Sequence, residues 1–288
     1  MMMIGNKFLY NNAYIFYIVG VILLILVLFL GKPINNARCW FIIPYIGSIQ
    51  PSEFMKVFWI ITLSRMINDF NEEYDNPEVS DELKFILKVL VLLLIPSILT
   101  YVEPDTGAVI MYLIITITML FVGGFRKRWF VITILTIITL IGSILGISFL
   151  DRDLFIKLFG TSFFYRMDRI LNWSNSTGLQ LTNSMTAIGS AGLFGSIFLI
   201  MLITFFDITL ITTVNKTTNY PDKYAIGGIL AVLIFQQIYN ISMTIGLLPI
   251  MGITLPFISY GGSSLLSYMI LLGIIFNVSN ESLRFTNK

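Results

Sequence analysis

The sequence predicts an all-α fold: a polytopic membrane helical bundle of about eight transmembrane helices, forming one integral membrane domain over residues 1–288. Three observations carry this. The chain is 56% hydrophobic and 12% charged, whereas soluble domains carry about 25% charged residues. That leaves too little polar surface to coat a water-exposed globule. Apolar segments near the roughly 20-residue spanning length recur from end to end. The densest basic cluster, Arg126-Lys127-Arg128, sits in a short connection, where cytoplasmic loops concentrate Lys and Arg.

The first span is 13–31, an uncharged stretch with no small-residue cleavage site after it, read as a retained helix rather than a signal peptide. The second, 54–67, is short and carries Lys56 and Arg65. Then come 85–102, 106–125, 129–150 and 191–214. The last two, 224–246 and 264–279, share one charge-free run. It divides at 247–262, where Pro249, Pro256, Gly261 and Gly262 discourage a continuous helix. Irregular backbone at membrane depth needs protein or a wet cavity around it, so this link is expected to be protein-packed or re-entrant.

The basic cluster sets the 126–128 turn on the cytoplasmic side, and alternation then places both termini there. The 69–82 connection falls on the same side although it holds seven acids, because acidic residues carry little topological weight. The outside receives 32–50, the turn at 103–106, the segment 151–183 and the 247–262 link.

Composition also excludes chemistry. The chain has no histidine and one cysteine, Cys39, so a Ser-His-Asp triad, a Cys-His pair, a His-ligated metal and an internal disulfide are ruled out. No cofactor is identifiable, and no ligand motif supports a divalent cation. The net charge of +2 comes without a basic, aromatic-interleaved patch, so no nucleic-acid partner is expected.

Five segments remain as candidates. In QPSEFMK, 50–56, Pro51 can open a helix whose first turn holds Glu53, and Glu53 and Lys56 pair at i, i+3. That is either helix capping or a functional intramembrane charge. In EPDTG, 103–107, Asp105 can cap the next helix. Arg166 and Arg169 lie one helical turn apart near Tyr165 and Trp173, which suits phosphate recognition or interfacial anchoring equally. In TAIGSAGLFG, 186–195, small residues favour close helix packing. Ser259-Tyr260-Gly261-Gly262-Ser263-Ser264 opens the last helix, where backbone N–H groups and hydroxyls can bind an anion. Gly261 and Gly262 are expected to need positive φ or close backbone approach.

Taken together these segments resemble the SEDS family (shape, elongation, division and sporulation), which includes FtsW, RodA and SpoVE. LPFISYGGSSLL at 255–266 is the most specific string, preceded by GLLPIMGI at 246–253. NNARCWF at 35–41, QPSEFMK, EPDTG and LQLTNSMTAIGSAGLFG at 179–195 follow the family's order along nearly the whole chain. The resemblance implies polymerisation of peptidoglycan glycan strands from lipid II or a related undecaprenyl-linked precursor. It also implies a class B penicillin-binding protein as partner and the bacterial cytoplasmic (inner) membrane as location. Substrate-binding residues carried over by motif are Arg38, Glu53, Lys56, Asp105, Arg166, Arg169, Gln180, Ser259, Tyr260, Gly261, Gly262 and Ser263.

The chain departs from the family pattern twice. The 13–31 segment aligns with the third family helix, so two preceding helices are expected to be missing. More consequentially, the family's long outer loop, with a segment resembling Pro-x-x-x-Thr-Asp-Phe-x-Phe and a proposed catalytic Asp, should follow Gly195. Here Gly195 runs directly into SIFLIMLITFF, and the nearest downstream acid, Asp207, falls late in that helix towards the cytoplasm. The catalytic residue is therefore unknown. A degenerate, non-catalytic member, an active glycosyltransferase using a substitute outer carboxylate such as Asp105 or Asp168, a lipid-linked precursor transporter and a truncated gene all remain open.

Overall fold

The computed structural model describes residues 5–34, 37–43, 47–161, 163–164, 198, 200–212, 217, 219–249, 251–258 and 261–286. A short α1, Asn6–Asn11, leads into α2, Ala13–Leu30. Three strands follow: β1 Lys32–Ile34, β2 Ala37–Ile43 and β3 Gly47–Ile49. Next come α3 Pro51–Glu73, α4 Val79–Val102, α5 Thr106–Val122, α6 Lys127–Leu150 and α7 Arg152–Phe159. The remaining helices are α8 Ile200–Thr212, α9 Tyr220–Thr244 and α10 Gly262–Thr286.

By length and composition, α2, α4, α6, α9 and α10 can each cross a membrane, while α5 and α8 are shorter apolar helices. Their apolar faces point outwards: Ile15, Leu87, Val91, Leu135, Ile138 and Met269 are exposed, as expected where lipid replaces water. Described residues of the expected 191–214 span begin at 198.

The second span needs correction. It is not a short helix over 54–67 but the 23-residue α3, about 35 Å long at 1.5 Å per residue and long enough to cross a ~30 Å hydrocarbon core. Its charges do not disqualify it, because α3 is the hub of the bundle, packed against α1, α2, α4, α5, α9 and α10. Its polar groups meet protein. Trp59 Nε1 donates to Thr116 Oγ1 at 2.9 Å, Thr62 Oγ1 to Ala13 O at 3.1 Å and Ser64 Oγ to Pro221 O at 2.9 Å.

The 32–50 segment, to which the sequence assigns no element, holds three strands. They form one antiparallel sheet in the order β1-β2-β3, with Lys32 opposite Trp40 and Ile42 opposite Ser48. Cys39 is buried and Arg38 exposed on β2, the alternation of a half-covered strand. Cys39 Sγ donates to Glu103 O at 2.6 Å, joining the sheet to the α4–α5 turn.

At the opposite end of the bundle the acidic and basic connections meet. Glu82, buried in the first turn of α4, accepts from Trp129 Nε1 at 2.5 Å and pairs with Arg126 at 3.4 Å and Arg128 at 3.7 Å. The acidic 69–82 connection thus lies on the side of its counter-charges. At this end, too, Asp222 on α9 is buried and accepts from Asn6 Nδ2 at 2.8 Å, Tyr10 Oη at 2.7 Å and Asn219 Nδ2 at 2.7 Å. Asn277 of α10 donates to Asn6 at 3.0 Å, so α1, α9 and α10 close around one satisfied carboxylate.

Candidate functional site: a polar cavity beneath the sheet

At the sheet end, the start of α3, the α4–α5 turn, the middle of α9, the 251–258 link and the start of α10 surround a cavity of about 820 Å³. Residues carrying chemistry into its wall are Gln50, Glu53, Lys56, Asp105, Gln236 and Ser263.

Sequence dictates each position. Pro51 occupies the first turn of α3, as its fixed φ and missing N–H allow. Glu53 follows in the first turn and Lys56 one turn later, and Lys56 Nζ contacts both carboxylate oxygens of Glu53 at 2.9 Å. Both side chains are nearly enclosed, at 3% and 11% exposure. Asp105 caps α5 by accepting from Ala108 N at 3.1 Å, and its other oxygen accepts from Gln50 Nε2 at 2.7 Å and Ser52 Oγ at 2.9 Å. Burial raises the Asp105 carboxyl, while the bonds from Ala108 and Ser52 pull it down.

The 251–258 link is held as the membrane setting requires. Tyr239 Oη donates to Pro249 O at 3.0 Å and Asn240 Nδ2 to Ile253 O at 2.7 Å. Gly107 lets α5 approach this link: a Cβ there would lie 3.1 Å from Met251 O and from Ile253 Cγ1. At the start of α10, Ser264 Oγ donates to Gly261 O at 3.0 Å, and a Cβ on Gly261 would meet that Oγ at 2.5 Å. The expectation for Gly262 is corrected: it faces open space and has no positive φ. Positive φ falls instead on Gly246 and Gly252, which turn the link.

Of the twelve candidates, Glu53, Lys56, Asp105, Gly261, Gly262 and Ser263 line this one cavity. Arg38 does not: it is exposed on β2, while its neighbours Cys39 and Trp40 reach the wall. Arg166, Arg169, Gln180, Ser259 and Tyr260 lie outside the described residues, as does Asp168. Sequence reasoning missed Gln50 and Gln236; the adjacent polar pair Gln236-Gln237 within the apolar run of α9 was the available signal for the latter. Among the described residues no group of three or more Cys, Asp or Glu side chains is placed to hold a metal ion.

Directly behind the wall, Glu103 is fully buried and neither carboxylate oxygen has a hydrogen-bond partner. Burial, reinforced by Asp105, pushes its carboxyl up to about 8. Protonation of the folded form therefore stabilises the fold below the unfolded value of 4.5, and that contribution is lost as pH rises to about 8. Glu103→Gln is expected to remove this loss. Its free energy of unfolding should exceed the parent's by on the order of 3 kcal/mol at pH 9 and converge with it towards pH 5, as read from thermal unfolding at each pH. Parallel curves for the two proteins from pH 5 to 9 would contradict the assignment.

With this geometry in hand, comparison with known proteins decides the family. The model for the FtsW, RodA and SpoVE family, described as "Cell cycle protein", matches residues 1–197 and 190–284. The chain belongs to the FtsW/RodA/SpoVE family. A family relative named probable peptidoglycan glycosyltransferase FtsW, from Buchnera aphidicola subsp. Baizongia pistaciae (strain Bp), is 31% identical over 325 aligned positions, covering 98% of this chain and 79% of the relative. The aligned length exceeds the 288 residues present here, so the relative carries segments this family member does without. The two matched blocks overlap at 190–197, around Gly195.

The fold is shared as well. A solved chain described under "Structural coordination of polymerization and crosslinking by a peptidoglycan synthase complex" matches with TM-score 0.79 and 22% identity, covering 98% of this chain and 84% of that one. The rod shape determining protein RodA of Thermus thermophilus matches with TM-score 0.69 and 23% identity, covering 98% and 82%. This family member is accordingly a multi-pass membrane protein.

Proposed function

We propose that this protein works in peptidoglycan assembly by binding lipid II, or a related undecaprenyl-linked diphosphate precursor, in the cavity beneath the sheet, and that it does not polymerise the precursor unaided. The observation that carries this reading is the convergence of Lys56, Gln50, Gln236 and the Gly261–Ser264 turn on one cavity in a chain of this family. An ammonium and a helix N-terminus with flanking hydroxyls suit a diphosphate. Arg166 and Arg169, matched to the family by motif, are assigned to the same anion.

A class B penicillin-binding protein is the partner this reading implies, and the cytoplasmic membrane the location. The sheet and cavity face outwards, with both termini in the cytoplasm, as the Arg126–Arg128 cluster requires. Impermeant labelling of a cysteine placed at Lys288 from outside the cell would overturn that orientation. Binding is tested with purified protein in lipid nanodiscs, titrated with undecaprenyl diphosphate and lipid II. Saturable binding that weakens in Ser263→Val is expected. Absence of binding to either probe would remove the reading.

A further inference from the structure

Two consecutive residues of α10 reach the Glu53–Lys56 pair from behind the cavity wall. Ser267 Oγ approaches Glu53 Oε2 at 3.3 Å and also donates to Ser264 O at 2.8 Å. Lys56 Nζ stands 5.7 Å from the centroid of the Tyr268 ring. That ring is itself held in one orientation. Tyr268 Oη donates to Gln236 Oε1 at 2.8 Å, lies 3.4 Å from Thr254 Oγ1, and the ring packs on Phe257 at 5.2 Å between centroids. Tyr268 is 1% and Gln236 2% exposed, so this hydroxyl–amide pair is a buried polar contact among apolar helices, where phenylalanine and leucine would pack with less to satisfy.

A lysine ammonium has three donors on a flexible four-carbon stem. Glu53 engages it with both oxygens, and an aromatic face supplies a favourable cation contact on another side. We propose that Tyr268 is the positioning residue of this site: with its hydroxyl locked by Gln236, and with Ser267 holding Glu53, it fixes the direction in which Lys56 presents its charge to an anionic headgroup in the cavity. Tyr268 and Ser267 do not themselves line the wall, so they act through Lys56. The inference rests on the reading of the cavity as a diphosphate site.

A binding cycle separates this role from plain packing. Full-length parent, Tyr268→Phe, Tyr268→Leu, Glu53→Gln/Lys56→Met (which removes both charges of the buried pair) and the triple variant with Tyr268→Leu are titrated in nanodiscs with undecaprenyl diphosphate, with thermal unfolding measured alongside. Tyr268→Leu is expected to weaken diphosphate binding by roughly tenfold, in line with a desolvated cation–π contact, and Tyr268→Phe, which keeps the ring, by less. In the Glu53→Gln/Lys56→Met background the Tyr268→Leu loss should vanish. The same fold-loss with and without Lys56 would overturn the positioning role while leaving the diphosphate reading standing. A parent protein that binds no diphosphate overturns both. Should Tyr268→Leu fail to fold, Ser267→Ala and Tyr268→Phe run the same cycle against Glu53→Gln/Lys56→Met, with the same two outcomes.

Discussion

Lys56→Met alone is expected to cost about 3–5 kcal/mol of stability, while Glu53→Gln/Lys56→Met recovers most of it. The single change abandons a carboxylate that is only 11% exposed and whose ammonium partner sits 2.9 Å away. Ser267 Oγ, at 3.3 Å, is a weak substitute for an ion. The double change removes both charges, and with them the desolvation cost that made the pair necessary. Glutamine keeps a carbonyl oxygen for Ser267 and methionine roughly fills the lysine stem. Unfolding of the four purified proteins in the same detergent measures the coupling directly. A double variant as unstable as the sum of the singles would show that the two charges are stabilised separately and that the pair is not the unit. The contrast also separates fold from function: the double variant should be stable yet defective in diphosphate binding, because its cavity has lost Lys56.

Much of this site was legible because its residues obey local rules. Pro51 at a helix start, an acid in the first turn, a basic residue at i+3 and an Asp before Thr106 each announce their geometry within a few residues of sequence. What the sequence hid was set by neighbours distant along the chain. The length of α3 was underestimated because its charges look hostile to a bilayer until α2, α5, α9 and α10 are seen to surround it. Sheet pairing over 32–50 was passed over because three-residue strands such as β1 and β3 carry little alternation, although Asn35-Asn36 between strand-like runs was a turn signal. Tyr268 and Gln236 lie 32 positions apart, and nothing local to either indicates the other. Glu103 was legible as an acid in a turn, but its isolation depends on the sheet that covers it.

Incubated with a class B penicillin-binding protein and labelled lipid II, the protein is expected to yield no glycan polymer. Attack by a sugar hydroxyl needs a base within hydrogen-bond reach, and general-base assistance is typically worth 10²–10⁴-fold. Among the described residues, the acids near the cavity are occupied or withdrawn. Glu53 is held by Lys56 and Ser267. Asp105 accepts from Ala108, Gln50 and Ser52, so its oxygens already serve as a cap and a cross-link. Glu103 is sealed behind the wall, and burial pushes its carboxyl up to about 8, so at neutral pH it is largely protonated and cannot take a proton as a base. After Gly195 the sequence continues as Ser196–Phe206, an acid-free run that supplies no further carboxylate. Products resolved by gel electrophoresis decide the matter. Robust polymer that disappears in Asp105→Asn, or in Asp168→Asn, would show the expectation wrong and name the base. Polymer absent from the parent but restored by grafting a family outer loop after Gly195 would show that the cavity and its cations are intact, and that the missing element is the base alone.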